Sequence, residues 1–163
     1  MLIGLIADTH DNLPMIKRAV DCFEEKKVDA VIHAGDFVAP FALKEFFRLK
    51  GCRIEGIYGN NDGEKKGLFM LFSRFGRLHD PPLSLELDGK KILVVHDPAH
   101  LREENFQSDL VVFGHTHEYH CGQQGRALVI NPGEAGGWLQ GGGTVALYDT
   151  SAHSCMKIDL GAL

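Results

Sequence analysis

The 163-residue chain suffices for one domain with a sizeable core, and 44% hydrophobic with 24% charged residues is the balance of a globular protein, which excludes a disordered chain. Its formal net charge of -5, with no stripe of Lys and Arg, argues against broad nucleic-acid affinity. Its longest apolar runs are too short to span a bilayer, so no membrane partner is expected.

The first apolar run, residues 2–7, reads as a buried strand that empties into Asp8-Thr9-His10. It is too short for a secretory leader, and the chain is read as cytoplasmic. Leu13, Ile16, Ala19, Val20 and Phe23 follow the three-four spacing of an amphipathic helix, which the charges of residues 24–27 bring to an end. Residues 30–33 form a second short strand, closing at Gly35-Asp36, so the opening is a βαβ unit. Phe41, Leu43, Phe46, Phe47 and Leu49 predict a second helix, and residues 53–58 a third strand that ends in Gly59-Asn60-Asn61-Asp62. A further helix is expected over about residues 64–75, with Phe69, Phe72 and Phe75 read as core rather than as a partner surface.

Pro81-Pro82 mark a break, after which the period changes to two. Leu83, Leu85 and Leu87 alternate with polar residues, Asp88-Gly89 makes a turn, and residues 91–95 return to His96 as an antiparallel partner. Residues 110–113 are an apolar run leading into Gly114-His115-Thr116-His117. Short strands follow over residues 119–121, 127–130, 143–148 and 155–160, separated by glycine-rich turns. The pattern predicts one α/β domain, residues 1–163, with two packed sheets and helices outside. Cys22, Cys52, Cys121 and Cys155 lack C-x-x-C spacing and read as reduced structural thiols.

Each strand that ends in a polar residue contributes to one list: Asp8, His10, Asp36, Asn60, His96, His115 and His117. In α/β architectures such strand ends converge. In an extended chain, moreover, His115 and His117 emerge on the same face. Two carboxylates, four imidazoles and an amide oxygen suit two divalent ions with one shared aspartate. The absence of thiolate favours Mn, Fe, Ni or Zn over a soft metal. Taken singly, an Asp-x-His or a Gly-Asp is more often a cap or a turn; their ordered co-occurrence carries the reading. His33, His79, His100, His120 and His153 receive no role.

The ordered set Asp8-Thr9-His10, Gly35-Asp36, Gly59-Asn60-Asn61-Asp62, His96, Gly114-His115-Thr116-His117 and Asn131-Pro132-Gly133 resembles the calcineurin-like metallophosphoesterase superfamily, in its small bacterial and archaeal phosphodiesterase branch. The resemblance implies a four-layer α/β/β/α sandwich of two mixed sheets with outer helices. It further implies a first ion held by Asp8, His10, Asp36 and His117 and a second by Asp36, Asn60, His96 and His115, with manganese the foremost candidate. Asp36 and Asn60 would act in catalysis through the metals, as a hydroxide bridging the ions attacks phosphorus in line. Asn12 and Asn61 would contact a small phosphoester substrate, a phosphodiester above all, and a homo-oligomer is compatible with this reading.

Three departures from the family pattern bear on substrate. Asn61 stands where many phosphatases of the superfamily have a histidine that assists the leaving group, and Asp62 or His100 would have to replace it. Asp97 replaces a glycine and Glu134 a serine, adding carboxylates near the expected substrate mouth. The alternative, a protein-binding scaffold like the vacuolar-sorting subunit of the retromer coat, has the same fold, but the full ligand set here favours the enzyme.

Overall fold

A computed structural model describes residues 1–161, so the last two residues of the expected domain lie outside the described residues. The apolar runs form strands because both faces of each are buried. β1 (Leu2–Ile6), β2 (Ala30–His33) and β3 (Arg53–Ile57) lie side by side and parallel, followed by β4 (Arg77–His79). On the other side of β1, β10 (Gly143–Asp149) and β11 (Ser154–Gly161) add antiparallel, completing a six-stranded sheet. The second sheet contains β5 (Leu83–Leu87), β6 (Lys90–Val94), β7 (Leu110–Val112), β8 (His120–Gln124) and β9 (Ala127–Asn131), in the order β5-β6-β7-β9-β8. Its central three strands are parallel and its edges antiparallel, so both sheets are mixed.

Three apolar layers follow. Between the sheets, Ile3, Leu5 and Ile32 meet Ile92, Val94, Val112 and Ile130. On the outer face of the six-stranded sheet, α1 (Leu13–Lys26), exposed at Leu13 in its first turn, buries Ile16, Ala19, Val20 and Phe23 of the expected three-four spacing together with Met15. It is capped by Asn12, whose side chain accepts from the Met15 backbone N–H, and closed by Lys27 in the left-handed region. α2 (Lys65–Phe72) lies on the same face, and a 3-10 segment, Pro40–Arg48, packs against both helices. The outer face of the five-stranded sheet is covered more thinly, by two 3-10 turns, Pro98–His100 and Glu103–Gln107, with Leu101 and Phe106 on the third cluster. The four-layer α/β/β/α sandwich is present, its fourth layer made of turns.

The structure differs from the sequence-based expectations at further places. The second helix is a 3-10 segment, Pro40–Arg48. Leu43, Phe46 and Leu49, all buried, are spaced by three, and three residues per turn aligns them on one face where an α-helix would fan them out. α2 stops at Phe72, not Phe75, and Phe69 is 54% exposed, while Phe72 and Phe75 pack with Phe46 and Phe47 as core. β4 was not foreseen: three residues carry no period, and they become a strand only by pairing with β3. β8 runs to Gln124, beyond the expected end. No helix among the described residues is long and apolar enough to cross a membrane, and the four cysteines are free.

Candidate metal centre

The carboxyl ends of β1, β2 and β3 from one sheet and of β6 and β7 from the other meet at one edge of the sandwich, and the polar residues found beyond each strand converge there. Asp8, His10, Asp36 and His117 present ligand atoms that all lie within 4.8 Å of one another. His10 Nε2 is 3.3 Å from His117 Nε2 and 3.7 Å from Asp36 Oδ2. On the other side of Asp36, His96 Nε2 lies 3.4 Å from Asp36 Oδ2 and 2.8 Å from Asn60 Oδ1, which His115 Nδ1 also approaches at 2.9 Å. Two groups of nitrogen and oxygen donors thus share Asp36. This hard and borderline donor set fits divalent transition ions and lacks thiolate.

The backbone delivers these side chains in a way that alternation along a strand does not predict. β1 ends at Ile6 and β7 at Val112, so the ligand candidates sit in the turns beyond. Asp8, His10, Asp36, His115 and His117 all have positive φ, between 41° and 69°. Left-handed backbone costs an L-residue about 1 kcal/mol or more, and such clusters mark functional turns. His115 and His117 consequently do not share a face; one reaches toward Asn60 and the other toward Asp8, at 3.7 Å.

A frame of hydrogen bonds holds the turns. Asp62 is buried, and its carboxylate accepts from the backbone N–H groups of Asp36, Val38 and Gly59, tying the loops after β2 and β3. Gly59 must be glycine: a Cβ there would stand 2.2 Å from Asp36 Oδ1. Asn131 is fully buried; its amide donates to Gly114 O and Thr116 Oγ1, and its carbonyl accepts from Gly133 N–H, bracing the turn that carries both histidines. The segment after it lies along the β1 turn, with Ala135 N–H donating to Ala7 O, Gly136 N–H to Asp8 O and Trp138 Nε1–H to His10 O.

His33, given no role from sequence, is fully buried beneath the site. Its Nδ1 accepts from Gly35 N–H, so the ring proton is on Nε2, donating to Thr9 Oγ1; the Thr9 hydroxyl in turn donates to Asp36 O. The ring is neutral, and burial holds its pKa well below 6.5. The only sequence signal was its place at the end of a buried strand.

The electrostatics divide the carboxylates. Burial pushes Asp8 up to about 7, against the lowering influence of His96. Burial would raise Asp36 too, but hydrogen bonds from His96 and Asn61 outweigh it and hold Asp36 below the ordinary carboxylate range. Burial lowers His10. His96 rises despite burial, because it faces Asp36. Its Nδ1–H donates to Ala34 O at 2.8 Å, which turns Nε2 toward Asp36 and Asn60.

Both substrate candidates make contacts within the chain. Asn12 is buried and its side chain is committed at both ends, accepting from Met15 N–H and donating to Gly136 O at 2.5 Å; it caps a helix and ties down a loop. Asn61 donates through Nδ2 to Asp36 Oδ2 and through its backbone N–H to Asp36 Oδ1, so it orients that carboxylate. Asp97 caps the Pro98–His100 turn, accepting from Ala99 N–H. Glu134 is buried in the wall of a cleft beside His117, where it accepts from the Trp138 and Leu139 N–H groups.

A two-sheet sandwich with aspartate, histidine and asparagine donors gathered at its strand ends defines a class of metal-dependent phosphoesterases. Residues 1–153 match the model of the calcineurin-like phosphoesterase superfamily domain, and the chain belongs to that family. Among its relatives, phosphodiesterase MJ0936 of Methanocaldococcus jannaschii is 37% identical over 98% of this chain and 99% of its own. A solved structure of an archaeal phosphodiesterase with the same identity superposes at a TM-score of 0.91, covering 98% of this chain and 99% of that one. Phosphodiesterase YfcE of Escherichia coli is 24% identical over 97% of this chain and 91% of its own. Vps29 of Entamoeba histolytica, solved with zinc, is 18% identical at a TM-score of 0.62, covering 99% of this chain and 100% of that one, and shares the fold. The chain is a hydrolase of phosphoesters with a metal-binding Asp/His group.

Proposed function

We propose that this protein is a phosphodiesterase working with two divalent ions, manganese foremost, one held by Asp8, His10, Asp36 and His117 and the other by Asp36, Asn60, His96 and His115. The observation that carries the reading is the convergence of both donor groups on the single carboxylate of Asp36. Such a pair of ions, when bound, supplies polarisation of the phosphoryl group and activation of water.

The chain's own residues do the rest. Asn61 and Asp62 fix the position of Asp36, one through its carboxylate and the other through its backbone N–H. Two clefts flank the centre. One, about 660 Å³, opens beside His117 and is lined by Tyr119, Thr144 and Lys157. The other, about 240 Å³, opens beside Asn60, His96 and His115 and is lined by Tyr58, Lys65, Pro81 and His100. A diester has two organic arms, and each flank accommodates one; a monoester would leave one cleft empty. His100 lines the smaller cleft, whereas Asp62 is enclosed by three backbone donors and cannot stand in for the missing acid. The reading extends to a cytoplasmic single-domain enzyme for small phosphoesters, alone or as a homo-oligomer, with no nucleic-acid partner.

Elemental analysis after manganese reconstitution, coupled to assays on aryl diesters and alkyl monoesters, tests it. Up to two ions per chain and a diester preference of about 10²-fold or more, the contribution a missing general acid withholds from poor leaving groups, are expected. Failure to retain any divalent ion, with no turnover under any metal, would overturn the reading in favour of a binding scaffold.

A further inference from the structure

We infer that Glu134 is a positioning residue for His117, its carboxylate taking the proton of His117 Nδ1 as a hydrogen bond so that Nε2 is presented, unprotonated and correctly aimed, to the first ion. The inference rests on the assignment of His117 to that ion. Among the described residues, His117 Nδ1 is the buried side-chain polar atom without a hydrogen-bond partner. An unsatisfied buried polar atom is costly, and a ligating histidine ordinarily gives its second ring nitrogen to a carboxylate or carbonyl. His96 meets that requirement through Ala34 O. Facing the bare Nδ1 of His117, at 3.6 Å, is Glu134 Oε1.

Glu134 is held ready for this. Its side chain is fully buried beside that of His117, and its two oxygens are anchored from the far side by Trp138 N–H at 2.9 Å and Leu139 N–H at 3.0 Å. A carboxylate so fixed cannot swing away, and each oxygen keeps a further lone pair for a donor. A proton on Nδ1 leaves Nε2 as an acceptor, consistent with its 3.3 Å approach to His10 Nε2. The same carboxylate thus connects the loop that sets the Trp138 indole N–H on His10 O with the orientation of His117. A serine at this position, the residue the family resemblance leads one to expect, would be too short to do both and would bring no charge.

The test uses the full-length protein and manganese alone. In the metal-free protein, long-range 15N–1H NMR should find His117 as its Nδ1–H tautomer; in Glu134→Ser that signature should disappear, and in Glu134→Gln, whose amide oxygen can still accept, it should persist. Manganese titration should show the first-ion step weakened about 100-fold in Glu134→Ser and about 10-fold in Glu134→Gln, the range for losing a partner of a ligating histidine, with the second-ion step unchanged. A wild-type His117 that carries its proton on Nε2 would overturn the inference. So would folded Glu134→Ser protein with wild-type manganese affinity. Should the wild type bind manganese but cleave no phosphodiester, the proposed activity fails while this inference stands on the two readouts.

Discussion

At the scale of single residues, His33 shows how the site is supported from beneath. It contributes no ligand, yet its neutral ring connects the turn after β2 to Thr9 and, through that hydroxyl, to Asp36. Because burial holds its pKa well below 6.5 in the fold, the unfolded chain takes up a proton near 6.5 that the native state refuses. The stability this group provides is therefore full above pH 6.5 and falls with pH below it, by up to about 1.4 kcal/mol per pH unit. Asp8 in the metal-free protein has the opposite sign: with its pKa raised to about 7, its contribution is complete below 3.8 and is lost as pH rises through 7. Substitution separates the two. The gap in unfolding free energy between wild type and His33→Gln, measured by denaturant titration without metal, should narrow by about 1 kcal/mol between pH 6.5 and 5.5. A gap constant across that range would mean that His33 is charged in the native state.

At the scale of elements, the decisive feature is how closely the ends of β2 and β3 approach. Asp36 follows the first and Gly59 the second, and the carboxylate of one lies where a side chain of the other would be. A Cβ at residue 59 would also come within 2.5 Å of Asp36 N, so relief requires the two turns to separate. Gly59→Ala should therefore destabilise the protein by about 1–3 kcal/mol and weaken both manganese-binding steps, since Asp36 belongs to both donor groups. Calorimetric melting and manganese titration check the two effects. Wild-type affinity at both steps would mean that Asp36 is not shared. The 3-10 segment and β4 belong to this scale too: each exists because a neighbour rewards it, a three-residue apolar spacing against the sheet in one case and the free edge of β3 in the other.

At the scale of the whole molecule, the site is an edge shared by two sheets, with a cleft on either flank. That arrangement suits a two-armed substrate, and the chemistry at Asn61 points the same way. An amide cannot serve as a general acid, whose contribution is about 10²–10⁴-fold for a poor leaving group, and this amide is already engaged with Asp36. Asn61→His should raise kcat/KM for an alkyl monoester relative to an aryl diester by about 10²-fold, with metal content measured alongside because the Asp36 contact is lost. Equal kcat/KM of the wild type for a matched aryl diester and alkyl monoester would contradict the argument.

The sequence by itself determined the parts whose signal is local. Apolar runs ending in Asp8, Asp36, Asn60, His96 and His115 named the strands and their polar ends, and the three-four spacing from Leu13 to Phe23 named α1, because burial on a defined face imposes a period. The gathering of the donors was also legible, since strand ends in such folds converge. Tertiary structure alone decided how those donors are aimed. Left-handed turns at Asp8, His10, Asp36, His115 and His117 send neighbouring side chains to different partners, which no alternation rule foresees. Asn12, Asn61 and Asp62 read as substrate or proton-transfer candidates in a string of letters. In the fold they meet Gly136, Asp36 and three backbone donors, many of them far away in sequence. A polar side chain's role is set by the partner that removes it from water, and that partner is supplied only when the chain has folded.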